Sequence, residues 1–287
     1  MTTLPIAVFG ATGQQGSAVV DALLDRGSPV RALVRDPSSD RARNLAERGA
    51  ELVHADADQP ATITAALAET AAFFYLTTPA GPDATEGETR RGIAIADAAA
   101  ASDTGHIVFS SVGGAERDTG IAHFDSKYLV EEHLRALPVP VTIIRPVFFM
   151  ENLRWSGSSV EGDQLVVRLP LPDGIALQMI SVRDIGRVAA AILTGGGRGG
   201  EAIEIAGDEL TGSQIAHALG AQVGLPARYE ALPAEVLAGQ GDSEAMFRWF
   251  AQLPAYQGDI GRTDELAGGT WNLPTWLAAA RWHPSNR

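Results

Sequence analysis

Three places in this 287-residue sequence combine residue types and spacing that could do chemistry. The first is Gly10-Ala11-Thr12-Gly13-Gln14-Gln15-Gly16, which follows the short apolar run 6–9 and leads straight into a stretch of helical spacing. Glycines allow a tight turn and a close approach of ligand to backbone, and a helix starting there offers free amide donors and partial positive charge to a pyrophosphate. Gly13 reads as the point of closest approach, in a backbone conformation with positive φ. The second place is Arg35, at the end of the next apolar run, 30–34. In dinucleotide folds an acidic residue there holds the adenine ribose 2′-hydroxyl, whereas an arginine accommodates a 2′-phosphate. Asp36 follows one residue late, so the position favours NADP(H) over NAD(H), with Ser38, Ser39 and Arg41 as further donors. The third is Lys127, the one lysine beside 21 arginines, preceded by His123. His123, Lys127, Val130 and Leu134 share one helical stripe, which carries Lys127 along a buried face, and its compact ammonium suits two ribose hydroxyls better than a broad guanidinium.

These residues need a frame. Short β-branched or aromatic runs at 6–9, 30–34, 51–54, 72–76, 106–110 and 141–144 alternate with alanine- and leucine-rich stretches of helical period, the signature of βαβ units and a parallel sheet. The fold class is therefore α/β, a doubly wound parallel Rossmann sheet with a second, smaller C-terminal domain. Handed crossovers bring every strand's carboxyl end to one edge, where ligands of such sheets bind. After Pro146, residues 175–180, 184–193 and 202–205 read as strand, helix and strand returning to the sheet. The GGGRGG run at 195–200 reads as a surface turn. Residues 1–153 with about 175–206 then make the dinucleotide-binding domain, and about 154–174 with 207–287, read as short helices broken by prolines, make the smaller one. All five tryptophans lie beyond residue 150. They read as core of the smaller domain or as lining of an apolar substrate pocket, with Trp155 assigned to the pocket.

Composition narrows the function classes. With 45% hydrophobic and 20% charged residues the chain is globular, and no apolar run is long enough for a membrane span. Residues 1–4 lead into the first strand without the basic and apolar regions of a signal peptide, so the expected location is cytoplasmic. The net charge of −13 is spread over both halves, which argues against direct nucleic-acid binding. Zero cysteines and six scattered histidines point to no metal site.

On VFGATGQQG (8–16), RDP (35–37), HADADQP (54–60), FFYLTTP (73–79), HIVFSSVGG (106–114), HFDSK (123–127), IIRPVFFMEN (143–152), SVRDIGRVAAAIL (181–193) and AGDELTGSQIA (206–216), the sequence resembles the atypical short-chain dehydrogenase/reductases, specifically the NmrA-like branch with its quinone-reductase relatives. The resemblance covers nearly the whole chain. It implies that Gly10, Thr12, Gly13, Gln14 and Gln15 meet the pyrophosphate, Arg35 the 2′-phosphate, Asp56 and Ala57 the adenine, and Thr77, Thr78 and Pro79 the ribose. It also implies that Lys127 holds the nicotinamide ribose, and that Phe148 flanks the nicotinamide with Phe149 and Asn152 in the substrate pocket.

Relatives of this kind normally use Ser, Tyr and Lys, with Tyr four residues before Lys. The sequence keeps Ser111 and Lys127 but has His123 in place of Tyr, and Tyr128 points about 100° away around the helix. Imidazole changes charge near neutrality, but an ammonium one turn away opposes a second positive charge, which predicts a mostly neutral ring and a weak acid. Ketone–alcohol interconversion is then disfavoured. Hydride transfer to a quinone, enone or iminium remains, since these acceptors ask little of a proton donor. Two classes stay open: an NADP(H)-dependent reductase of a small conjugated apolar acceptor, and a catalytically silent redox sensor that binds NADP(H) and a protein partner. A homodimer is compatible with either.

Overall fold

Valine, isoleucine and phenylalanine dominate the strand segments because a parallel strand, covered by helices on both faces, must be apolar on both. The computed structural model describes residues 4–102, 104–155, 157–195 and 199–284. In it the first half of the chain alternates regularly: β1 (Ile6–Phe9), α1 (Gln14–Asp25), β2 (Val30–Val34), α2 (Asp40–Glu47), β3 (Glu51–His54), α3 (Pro60–Ala66), β4 (Ala72–Leu76), α4 (Ala84–Ala100), β5 (Ile107–Ser110), α5 (Ala122–Arg135) and β6 (Val141–Pro146). The second half continues with β7 (Phe148–Phe149), β8 (Ser159–Glu161), β9 (Gln164–Leu169), β10 (Ala176–Ile180), α6 (Val182–Thr194), β11 (Ala202–Ile205), β12 (Asp208–Thr211), α7 (Gly212–Val223), β13 (Ala227–Ala231), α8 (Ser243–Phe250), α9 (Ile260–Ala267) and α10 (Leu273–Ala280).

Among the described residues the main sheet has seven parallel strands in the order β11-β6-β5-β4-β1-β2-β3. Strand order reverses between β1 and β4, and the carboxyl ends of these two strands flank the crevice in which doubly wound sheets take their ligands. One apolar layer, including Val19, Leu23, Ile185 and Val188, fills the face under α1 and α6, and another, including Ile95, Ala99, Val130 and Leu134, fills the face under α4 and α5.

Beyond β6 the structure corrects part of the reading. Of the expected strand at 175–180, residues 176–180 form β10, but it does not return to the main sheet: it pairs with β7 and β12 in a separate three-stranded sheet. A parallel neighbour of β6 needs a crossover helix before it. Helix α6 follows β10, so β11 takes the place beside β6. The second lobe also holds more strand than its prolines suggested, with β8, β9 and β13 in a third sheet. α9 crosses back, and Ala267 joins the apolar layer of the main sheet while Ile260 and Leu266 pack against it. The turn expected at 195–200 falls partly outside the described residues, at 196–198, as does the N-terminal reading at 1–3. No described helix is long and apolar enough to cross a membrane.

Candidate functional site

The carboxyl edge between β1 and β4 opens into a cleft of about 510 Å³. Gly10, Thr12 and Gly13 line it from the turn after β1, Arg35 from the end of β2, Asp56 and Ala57 from the end of β3, and Thr77 and Thr78 from the end of β4. The turn works through two different glycines. Gly10 has φ +73°, a left-handed conformation that side chains resist, and a Cβ on Gly16 would fall 2.1 Å from the Gly10 carbonyl oxygen. Gly13 was expected to carry the positive φ; it is instead extended, at φ −87°, with its N–H donating to the Gly10 oxygen at 2.9 Å. The reversal is made one turn earlier, at Gly10, leaving Gly13 as the N-cap of α1. No side chain caps that helix, so its first amides remain free for an anionic group.

Arg35 is exposed at the mouth of the cleft and makes no hydrogen bond or ion pair among the described residues. Asp36 is engaged: its Oδ1 accepts from the Ser38 amide at 2.9 Å and the Ser38 hydroxyl at 2.6 Å, bonds that hold its carboxyl below the usual aspartate range. Ser38 and Ser39 are therefore not the spare donors expected beside Arg35. Ser39 Oγ donates to the Asp36 carbonyl and accepts from the Ala42 amide as the N-cap of α2. Gln14 is exposed in the first turn of α1, Gln15 accepts at Oε1 from Ser110 Oγ at 2.7 Å, and Pro79 lies outside the cleft lining.

The neighbouring part of the edge is built from longer-range contacts. Ser111 directly follows β5; its hydroxyl is buried and finds no hydrogen-bond partner among the described residues. Such an orphan costs about 1–3 kcal/mol unless something fills its bond, which fits a ligand amide or carbonyl at this point. Lys127 projects from α5 to donate to the Thr77 carbonyl at 2.8 Å, Thr77 Oγ1 at 3.2 Å and Glu88 Oε1 at 2.6 Å. Burial pulls its ammonium below the usual lysine range against the opposing pull of Glu88. Glu88, fully buried on α4, also accepts from Ser126 Oγ at 2.6 Å and lines the cleft. Sequence reasoning missed it. A lone buried lysine demands a counterion, but nothing in the order of residues says which carboxylate supplies it.

At His123 the structure alters the expected electrostatics. Glu88 offsets the Lys127 charge, and Asp242, just before α8, places its Oδ2 2.9 Å from His123 Nδ1 and 2.8 Å from the His123 backbone nitrogen. The ring thus has a carboxylate as its nearest charged group rather than an ammonium alone. Phe124 meets Trp249 edge-on at 5.6 Å, and Trp249 meets Tyr256 at 5.3 Å, so residues 242–256 of the second lobe reach over the start of α5.

The remaining expected pocket residues separate. Phe148 packs against Phe247 and Phe250 in the second lobe's core, and Phe149 is partly buried against the main sheet. Asn152 is exposed, and Trp155 is 84% exposed, apart from Trp276 and Trp282, which are core, and Trp249 and Trp271, which pack against it. The expectation of Trp155 in a pocket meets a side chain facing solvent, because the turn of 3₁₀ helix at Met150–Trp155 buries Met150 and Leu153 instead.

A sequence model of the NmrA-like family matches residues 2–266. The chain belongs to the NmrA-like family. Among its relatives, the NAD(P)H azoreductase of Xenophilus azovorans is 32% identical over 276 residues, covering 94% of this chain and 91% of that one. Among solved structures, Citrobacter sp. triphenylmethane reductase in complex with NADP(H) superposes with a TM-score of 0.81 at 22% identity, over 96% of this chain and 99% of that one. NmrA, a negative transcriptional regulator solved with NAD, gives 0.81 at 19% identity, over 96% and 94%. For this NmrA-like chain the likenesses to solved structures confirm the doubly wound fold. The cleft, its free helix amides and Arg35, unpaired among the described residues, have the chemistry to meet a dinucleotide.

Proposed function

We propose that this NmrA-like protein is an NADP(H)-dependent reductase that passes hydride to a small, conjugated, largely apolar acceptor held where the second lobe meets the carboxyl edge of the sheet. The observation that carries the cofactor choice is the contrast at the end of β2: Arg35 is free, while the Asp36 carboxylate is occupied by Ser38. A free guanidinium meets a 2′-phosphate with charge-assisted bonds, and a carboxylate already filled by its own turn is a poor partner for a 2′-hydroxyl. When bound, the reduced nicotinamide would supply the hydride. Gly10, Thr12, Gly13 and the α1 amides would hold the pyrophosphate, with Asp56 and Ala57 at the adenine and Thr77 at the ribose. Lys127, already bonded to Thr77, would turn a donor to the nicotinamide ribose, and the Ser111 hydroxyl would take a polar group of the ligand.

The azoreductase relative supports adding aromatic azo compounds to the quinones, enones and iminium ions as acceptor classes. Incubating the protein with NADPH and one member of each class, while following nicotinamide absorbance, tests the reading: oxidation with at least one acceptor is expected. The absence of Tyr at position 123 keeps one rival, a regulatory protein that binds the dinucleotide without oxidising it. Tight NADPH binding with no turnover against the whole panel would select that rival.

A further inference from the structure

α5 begins without a cap of its own, since no side chain of Ile121 accepts from its first turn. Asp242 supplies one from the other lobe: its Oδ2 accepts from the His123 backbone N–H at 2.8 Å and lies 2.9 Å from His123 Nδ1. An ionised carboxylate only accepts hydrogen bonds, so this contact requires Nδ1 to carry hydrogen. In the neutral ring Nε2 then holds the lone pair; in the protonated ring Nε2–H is the donor left over. Nε2 has no hydrogen-bond partner among the described residues, and the side chain is 26% exposed. One helical turn further on, Lys127 reaches Thr77, which lines the cleft, so the two residues share one helix stripe with Lys127 the nearer to the cleft. The charged groups around the ring are Asp242 from the start of α8, Asp125 on its own helix and close to Asp242, and Lys127, whose charge is offset by Glu88 of α4.

Resting on the reductase reading, we infer that His123 Nε2–H gives a proton to the acceptor as it is reduced, with Asp242 as the positioning residue, so that the site serves neutral acceptors whose reduction leaves a basic atom. In that step hydride from the nicotinamide bonds to one atom of the acceptor's double bond and the π pair moves to the other atom. That atom takes the proton from Nε2, and His123 is left neutral. The acceptor gains two electrons, NADPH loses two, and water returns the proton to the ring. The nitrogen anion left by hydride addition to an azo group is strongly basic and needs this proton, whereas the enolate of an enone, a much weaker base, asks less of it. A triarylmethyl or iminium cation does not, because hydride alone neutralises it.

The test uses the full chain with NADPH and two probes, the azo dye methyl red and the cationic dye crystal violet. For His123→Phe, kcat on methyl red should fall about 10²-fold, in the range for loss of a general acid, while NADPH affinity and any crystal violet reduction stay within about threefold. Asp242→Asn keeps an acceptor oxygen but removes the charge. It should lower kcat on methyl red about tenfold while NADPH affinity and any crystal violet reduction stay within about threefold, a split that a purely structural role would not produce. In the cofactor-free protein, ¹⁵N NMR of the histidine rings should show His123 as the Nδ1–H tautomer. The Nε2–H tautomer, or full methyl red activity in His123→Phe, overturns the inference and leaves the reductase reading standing. A parent protein that oxidises NADPH with neither dye nor any other acceptor overturns both.

Discussion

At the ends of β1 to β4, each residue facing the proposed nucleotide cleft sits within a few positions of the strand that carries it. Around the end of β5 and the start of α5, the polar groups depend on partners far along the chain. Lys127 reaches Thr77 across 50 residues, Ser110 reaches Gln15 across 95, and His123 reaches Asp242 across 119. The first region keeps its geometry whenever the parallel sheet folds. The second also needs the C-terminal lobe to be seated over α5. Cofactor binding and turnover should therefore separate under mutation: damage to the lobe contacts affects turnover, and damage to the glycine turn affects both.

The largest effect is expected where the two regions join. Lys127→Ala leaves Glu88 buried with an unpaired charge, a change that typically costs about 3–5 kcal/mol. Thermal unfolding should show a fall in Tm on the order of 10 °C. A weakened cofactor affinity in this variant would not by itself identify a ligand contact. The double variant Lys127→Met with Glu88→Leu removes both charges and should recover most of the lost stability. If Lys127 also touches the nicotinamide ribose, NADPH affinity stays reduced in the recovered double variant. Affinity restored along with stability would make the lysine purely structural.

Next in size is a test confined to the nucleotide region. Gly16→Val pushes a branched side chain into the Gly10 carbonyl, which as backbone cannot move aside without displacing α1. Overpacking of this kind costs about 3 kcal/mol, and because the displaced helix carries the amides proposed to hold the pyrophosphate, NADPH binding should be lost by calorimetry. Gly13→Val, at an extended residue, should fold nearly normally and lose affinity only through the space it fills. Normal binding in both variants would mean that the turn does not hold the pyrophosphate.

The same division explains what could be read from the sequence. The strands at 6–9, 30–34, 51–54 and 72–76 have the expected bounds, because apolar runs between turn residues encode themselves locally. Thr12, Arg35, Asp56 and Thr77 fall together for the same reason: strand ends in a doubly wound sheet converge by topology. Glu88, Asp242 and Trp249 were not legible, since each acquires its role through a tertiary contact with a helix elsewhere in the chain. The displacement of β10 from the main sheet was missed because a strand's pattern gives its existence but not its partner. Phe148 and Trp155 were placed by motif and by residue type alone, and packing in the second lobe then sent one inward and the other to solvent.

A third prediction works within the nucleotide region and leaves turnover chemistry untouched. Arg35→Ala should weaken NADPH binding by about 1.5–3 kcal/mol, roughly tenfold or more, with little change for NADH. Ser38→Ala acts on the neighbouring carboxylate: it removes the 2.6 Å hydroxyl bond from Asp36 and frees that group to meet a ribose hydroxyl. NADH affinity should then rise a few-fold. Titration of both cofactors by nicotinamide fluorescence reads both effects, and equal NADPH and NADH affinities in the parent protein would remove the basis for the Arg35 assignment.

The smallest effect is expected at Trp155, and it sharpens the comparison because this residue belongs to the second lobe yet lies outside the contacts that seat it. Its side chain is 84% exposed and takes no part in the aromatic chain running from Phe124 through Trp249 to Tyr256. Substitutions at surface positions with no such partners usually change stability by less than about 0.5 kcal/mol. Trp155→Ser should therefore leave Tm within a degree or two and keep NADPH affinity and the acceptor KM within about twofold, whereas Asp242→Asn lowers kcat. If Trp155→Ser instead raised the KM for a large aromatic acceptor several-fold at unchanged stability, the exposed indole would be a wall of the acceptor site. The chemical region would then extend beyond the His123–Asp242 contact to the Met150–Trp155 turn.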